Sequence, residues 1–333
     1  MANIVFLILS PNMWDGFQTL WEDLSANSEN NISVIQLSLF EKKDDEAPKE
    51  LPSPTGNLPK EITLLPCKEY DWEGNHTDVI YTQYAQDGSN LGFSVDPFFY
   101  VSNLRKYADS IVYIPYPVMT EPSIKNDLIM RDLRPLLVYN SLSFVDKIIV
   151  QSENMKNVYI ELLAGKNEVQ RNFWEKKISW EDYPRRAVLE RYMKATPKMP
   201  ELWKNSLLKA DGSQKKTLFL STSVNGILTQ NHSLIRSTRA FFESSLADID
   251  NTAIIWRPYP LIPDVLRKMR PQLIEDYNKL VDFFSNSGLG VFDDSSSPSM
   301  AITFSDEYVG DPCGIMELFK ITGKPVKQLF TVL

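Results

Sequence analysis

The chain has 333 residues but only two cysteines, Cys67 and Cys313, and two histidines, His76 and His232. Neither pair has metal-ligand spacing, so neither a disulfide framework nor a structural zinc site is expected, and no metal is assigned. Positive charge is also scarce: 35 Lys and Arg stand against 43 Asp and Glu, a net charge of -8. A protein that wraps nucleic acid needs clustered cations to neutralise phosphates, so no nucleic-acid partner is expected and any anionic ligand must be held locally. No apolar run approaches the ~20 residues that cross a bilayer. The apolar residues 1–10 have no positive segment before them and no small-residue cleavage site after, so they read as a buried strand. Low cysteine use is compatible with a reducing cytosol, and a soluble, cytoplasmic protein is expected.

What is present is an alternation, with 43% hydrophobic residues to supply two cores. Residues 3–9 form a continuous apolar run suited to an interior parallel strand, and residues 14–24 follow with Trp14, Phe17, Leu20, Trp21 and Leu24 at helical spacing. Strand-like stretches recur at 32–39, 61–65, 78–83, 110–114 and 147–151, and residues 154–164 read as a helix. Residues 41–60 are charged and proline-bearing, as in an exposed, mobile loop. The pattern restarts with strands at 216–220, 253–256, 288–292, 307–309 and 324–330 and helices at 234–246, 264–284 and 311–322, the last stopping at Gly323. The expected fold class is α/β with parallel, doubly wound sheets. A first domain spans 1–164, a polar, tryptophan-bearing junction 165–213, and a second domain 214–333.

Ligands of open α/β sheets gather beyond the carboxyl ends of the strands. Ile254-Ile255-Trp256-Arg257-Pro258-Tyr259 runs an apolar strand straight into an arginine, whose guanidinium can grip a phosphate through two parallel hydrogen bonds; an ordinary ion pair is the plain alternative. Ser305-Asp306-Glu307-Tyr308-Val309-Gly310-Asp311-Pro312-Cys313-Gly314 reads as strand, tight turn and helix start, which leaves amides at Cys313, Gly314 and Ile315 to cradle phosphate. Asp311 before Pro312 also reads as a helix cap, which is the commoner role for that pair. Thr222 and Ser223 lie in a hydroxyl-rich turn able to bind a second phosphate or a ribose, although plain loops use the same residues. In the first half, loops 10–15 and 82–87 put Asn12, Asp15 and Gln83 at strand ends as acceptor-side candidates.

Taken in order, Trp14-Asp15, Ser94-Val95-Asp96-Pro97, Tyr113-Ile114-Pro115-Tyr116, Val150-Gln151-Ser152-Glu153, Trp256-Arg257-Pro258, Met269-Arg270-Pro271, residues 305–311 and Thr322-Gly323-Lys324-Pro325-Val326 resemble the CDP-glycerol:poly(glycerophosphate) glycerophosphotransferase family. That family makes or primes teichoic-acid-like polymers. The resemblance implies a metal-independent GT-B fold, two Rossmann-like domains facing across a cleft with the nucleotide held mainly by the second. It implies no cofactor beyond a nucleotide-activated donor, CDP-linked, and transfer of an alcohol phosphate to an acceptor hydroxyl. It leaves room for peripheral contact with the inner face of a membrane or with a partner protein.

The sequence departs from the family at functional positions. The family's Arg-Pro-His reads Arg257-Pro258-Tyr259, and a phenol with a pKa of ~10 donates a hydrogen bond but is a poor base. The Ser-Ser pair reads Cys313-Gly314, a Gly-Ser-Pro-Lys turn reads Asp182-Tyr183-Pro184-Arg185, and first-domain histidines appear as Gln83 or a neighbour and as Asp96. Asp96 and Asp87 are then the remaining candidate bases. In an active transferase, Arg257 and the amides at Cys313 and Gly314 converge on the leaving pyrophosphate. The alternative is a non-catalytic GT-B-fold binding partner of another transferase, because losing a general base costs about 10² to 10⁴-fold in rate. A nucleotide-sugar epimerase or hydrolase on the same frame is a third class.

Overall fold

The computed structural model describes residues 2–41, 48–53, 56, 58–89, 93–195, 197–260, 262–295 and 297–328. Part of the charged stretch 41–60, and Leu329 and Phe330 of the last expected strand, lie outside the described residues. The chain divides into two compact units, Met1–Pro117 with Glu121–Val188, and Val118–Thr120 with Leu189–Leu333.

The strands of the first unit are β1 (Asn3–Ile8), β2 (Asn31–Gln36), β3 (Leu39–Glu41), β4 (Lys49–Glu50), β5 (Leu64–Pro66), β6 (Thr77–Thr82), β7 (Phe93–Val95), β8 (Ala108–Tyr113), β9 (Lys147–Ile149) and β10 (Ile178–Ser179). Seven of them form one parallel sheet in the order β10-β9-β8-β6-β1-β2-β5. β1 sits inside it, and Val5 to Ile8 are fully buried, as a strand covered on both faces requires. Strands β4-β3-β7 form a small antiparallel sheet, so the described part of the charged stretch is not all loop: Phe40 pairs with Glu50. The expected strand 32–39 is two strands, which belong to different sheets.

The helices of this unit are α1 (Gln18–Ser25), α2 (Val101–Leu104), α3 (Asp127–Leu137), α4 (Glu153–Ala164) and α5 (Glu168–Lys177), followed by α6 (Pro184–Ala195), where the division between units falls. The helix expected over 14–24 begins later, because Ser10 caps a 3-10 turn over Pro11–Gly16 through a bond from the Asn12 amide. The stretch expected as a junction, 165–213, holds α5, β10, α6 and α7 (Glu201–Leu207), with α5 and β10 in the first unit.

The second unit is one five-stranded parallel sheet in the order β13-β12-β11-β14-β15, from β11 (Lys216–Thr222), β12 (Thr252–Pro258), β13 (Gly290–Phe292), β14 (Glu307–Gly310) and β15 (Val326–Gln328). Its remaining helices are α8 (Val224–Gln230), α9 (His232–Ser245), α10 (Ile262–Met269), α11 (Ile274–Ser287), α12 (Ser299–Phe304) and α13 (Gly314–Lys320). Alternate strand residues feed opposite cores, as the two-residue period of a strand dictates. Leu220, Ile254, Trp256 and Val309 pack with Phe242, Tyr277 and Phe284 on one face. Phe219, Ala253, Ile255 and Tyr308 pack with Ile302, Met316 and Phe319 on the other. The single helix expected over 264–284 is broken into α10 and α11. Pro271 has no amide hydrogen to donate, and it pushes Arg270 to φ -147°, ψ 57°.

Candidate functional site

In the second unit the polar residues gather where β11 and β14 end. Ser221 and Thr222, the last residues of β11, are buried, and the Thr222 hydroxyl accepts a bond from the Trp256 indole at 3.3 Å. Ser223 caps α8, its hydroxyl accepting from the Gly226 amide at 2.9 Å. Asp311, just past β14, is only 1% exposed. Its Oδ2 accepts from both the amide and the hydroxyl of Ser223 at 2.7 Å, which ties the two strand ends together. Any methyl group at Gly226 would overlap that carboxylate, so the approach requires glycine.

Asp311 has no ion pair among the described residues, and its buried Oδ1 has no hydrogen-bond partner there. Burial raises its pKa, and the two bonds from Ser223 only partly offset that rise. The Tyr308 hydroxyl donates to the Asp311 carbonyl at 2.7 Å and lies 3.4 Å from the Cys313 sulfur, which is 3.8 Å from the Ser221 hydroxyl. Ser221, Ser223, Tyr308, Asp311 and Cys313 therefore form one connected polar cluster.

Arg257 stands outside that cluster. It is 6% exposed, and its Nη1 donates to Asp293 Oδ2 at 2.7 Å and to the Ser295 hydroxyl at 3.1 Å, while Nη2 donates to the Ser295 carbonyl at 2.7 Å. Asp293 and Ser295 follow β13, which flanks β12 on the side away from β11 and β14. The guanidinium is thus committed to a carboxylate and a loop, in place of the expected convergence with the Gly314 amide. The start of α13 is also occupied: a methyl at Gly314 would overlap the Val118 carbonyl, so this glycine makes room for the chain's own backbone. Tyr259 is 46% exposed and donates its amide to the Thr222 carbonyl at 2.9 Å.

In the first unit the structure gathers the acceptor-side candidates. Asp15 and Arg185 form a buried ion pair, Oδ2 to Nε 2.9 Å, and the guanidinium lies 4.5 Å from the centre of the Tyr116 ring while donating to the Tyr116 carbonyl at 3.3 Å. Gln83 donates from Nε2 to the Met13 carbonyl at 2.9 Å, and the exposed Asn12 accepts at its carbonyl from the Tyr116 hydroxyl at 3.3 Å. Asn12 and Asp15 follow β1, Gln83 follows β6 and Tyr116 follows β8, again at carboxyl ends, and Arg185 reaches them from the start of α6. Both Asp15 Oδ1 and Gln83 Oε1 are buried without a hydrogen-bond partner among the described residues. Tyr116 belongs to an apolar tract, residues 111–117, whose rings the sequence offers as aromatic walls, with core packing the plainer role; residue chemistry alone gave Arg185 no part in this group, and its one signal was its place in the turn that resembles Gly-Ser-Pro-Lys.

The two candidate bases lie elsewhere and serve as caps. Asp87 accepts from the amides of Val101 at 2.8 Å and Ser102 at 3.0 Å, holding the start of α2. Asp96 is exposed and accepts from the Phe98 amide at 2.9 Å, capping the 3-10 turn Pro97–Phe99. At the opposite, amino-terminal rim of the first sheet, His76, Asp78 and Asp109 bring ligand-type atoms within 4.8 Å of one another. Sequence spacing hides this group, because Asp109 comes from the neighbouring strand. No helix among the described residues is long and apolar enough to cross a membrane.

No protein-family model and no characterised protein sequence matches the chain. Solved structures do. The wall teichoic acid polymerase TagF, in a variant soaked with CDPG, superposes with a TM-score of 0.55 at 14% identity over 98% of this chain and 68% of its own. The Staphylococcus aureus MnaA–UDP co-structure gives 0.51 at 11% identity over 98% and 79%. A putative UDP-N-acetylglucosamine 2-epimerase from Listeria monocytogenes gives 0.52 at 10% identity over 100% and 80%. With these neighbours, the chain has the GT-B fold of two Rossmann-like units. At such identities the likeness speaks to fold alone.

Proposed function

We propose that the chain is a transferase-like protein that takes a nucleotide-activated donor, CDP-linked, at the carboxyl edge of its second sheet. In this reading it passes an alcohol phosphate or sugar to a hydroxyl acceptor in cell-surface polymer synthesis, without a metal or further cofactor. The observation that carries the reading is Asp311, a buried carboxyl without an ion pair among the described residues. It stands where open α/β sheets bind ligands and is bonded to Ser223 within a rim of hydroxyls. A carboxyl whose pKa is raised by burial is suited to donating a proton or a hydrogen bond to a ligand oxygen. Arg257 then acts at one remove, fixing the loop after β13, and Asp15, Gln83 and Arg185 supply the acceptor side. The likeness to structures holding CDPG and UDP supports a nucleotide ligand.

The second reading, a non-catalytic binding partner of another transferase, is favoured by the committed state of Arg257, Asp87 and Asp96. Calorimetry with CDP, CMP, UDP and UDP-sugars tests whether there is a nucleotide site at all, and silence from every one at millimolar concentration defeats the first reading. If CDP binds, phosphorus NMR of CDP-glycerol with and without a polyol acceptor separates the two: acceptor-dependent release of CMP means transfer, and binding without turnover means a partner role.

A further inference from the structure

A groove in the first unit lies away from the carboxyl edge of its sheet. It encloses about 700 Å³ between α5 and the turn before β9. Asp146 directly precedes β9 and Arg105 lies three residues before β8, both in the groove wall, so the groove opens at the amino ends of the strands, opposite the rim where α/β sheets bind small ligands.

Two properties set it apart from ordinary surface. Large apolar side chains are left in water along it: Val169 is 77% exposed, Phe173 48% and Phe144 44%. Val169 and Phe173 are four residues apart on α5 and so form one ridge along the helix. The rim is basic in a chain whose net charge is -8. Arg105, Lys176 and Lys177 line it; Arg105 and Asp146 in its wall pair with each other, so the surplus positive charge is that of the two lysines. Lys177 lies 4.8 Å from the centre of the Phe173 ring and donates to the Ser143 carbonyl at 3.1 Å, which holds its ammonium group beside the apolar ridge.

We propose that this groove docks an acidic amphipathic helix of a partner protein. An i, i+4 apolar ridge beside a channel is the surface into which the side-chain ridge of a second helix packs. The cations around it select glutamate- or aspartate-bearing flanks and repel basic ones. A bilayer is the poorer fit, since a flat surface does not fill a concavity whose apolar side chains line its walls. The inference stands apart from the proposed reaction, because the groove lies at the amino ends of the first sheet's strands, opposite Asp15 and Gln83, and none of its residues belongs to the second unit.

The test uses the full chain and a fluorescein-labelled probe of about 18 residues, long enough to hold a helix, built from Leu, Ala and Glu with leucine on one face. Controls are the same peptide with Lys in place of Glu, and vesicles of phosphatidylglycerol and phosphatidylcholine. Fluorescence anisotropy should show saturable binding of the acidic probe that weakens with added salt and falls about tenfold or more in both Val169→Asp/Phe173→Asp and Lys176→Glu/Lys177→Glu. Val169 and Lys176 are exposed while Phe173 and Lys177 are half-buried, so circular dichroism and urea midpoints of both variants, with Val169→Asp and Lys176→Glu alone beside them, separate lost docking from lost folding. The proposal is overturned if the acidic probe does not bind or binds the variants equally well. It is also overturned if the basic probe binds as tightly, or if vesicles sediment the wild type and not the variants, which would make the groove a membrane contact.

Discussion

Arg257 Nη1 lies 2.7 Å from Asp293 Oδ2, and both side chains are almost wholly buried. A buried pair of this kind is weak evidence of net stabilisation, yet removing one partner strands the other charge away from water. Arg257→Ala or Asp293→Ala should each destabilise the chain by about 3–5 kcal/mol in urea unfolding, while replacing both with Met recovers most of the loss. Should the single and double variants be equally unstable, the pair acts through something other than charge neutralisation.

Asp311 gives a pH signature. Burial raises its folded-state pKa above the ordinary 3.8, so the native protein keeps this proton to higher pH than the unfolded chain. Its contribution to stability is fullest below pH 3.8 and declines as pH rises through the folded-state value. Asp311→Asn, which keeps an acceptor for Ser223, should be at least as stable as the wild type at neutral pH and lose that advantage in acid. Urea midpoints measured from about pH 3.5 to 8 check this, and a pH-independent difference would refute it.

Asp87 is assigned to structure. Its carboxylate holds the first two amides of α2, so Asp87→Ala should cost about 0.5–2 kcal/mol of stability, the usual range for a lost cap. Nucleotide affinity and any turnover should not change at a temperature where the variant is folded. A selective loss of turnover would restore Asp87 as a base.

His76 should titrate above 6.5. The hydrogen bond from its ring to Asp109, and then the charge of that carboxylate, raise its pKa. The sequence holds two histidines, so proton NMR can follow each imidazole separately. Asp109→Asn should bring one of the two midpoints down toward 6.5 and leave the other in place.

Asp15 and Arg185 form a second buried pair, with the guanidinium stacked on Tyr116. Arg185→Lys keeps the charge but loses the planar stack, so denaturation should show a loss of about 1–2 kcal/mol. Asp15→Ala, which strands the guanidinium, should cost about 3–5 kcal/mol. A loss for Arg185→Lys as large as that for Asp15→Ala would mean that the guanidinium's contacts, and not only its charge, hold this pair in place.

Much of the fold was legible because its causes are local. Continuous apolar runs such as residues 3–9 mark strands buried on both faces, and the restart of the pattern at residue 216 marks a second sheet. Less legible were the boundaries that depend on one residue's geometry. Pro271 breaks an apolar pattern that is otherwise helical across it, and Ser10 turns the approach to α1 into a 3-10 cap. At the sites, Thr222, Ser223, Asp311, Cys313 and Gly314 were readable as strand-end residues of the second half. What each one touches was not readable.

Periodicity and turn residues in the sequence determined the two α/β units and the strand ends that carry their polar residues, because those signals act over a few residues. Tertiary structure decided which charges neutralise one another. Arg257 meets Asp293, 36 residues away, and Asp15 meets Arg185, 170 residues away. The physical reason is that an ion pair depends on which strands lie side by side, and strand order is set by packing of the whole sheet.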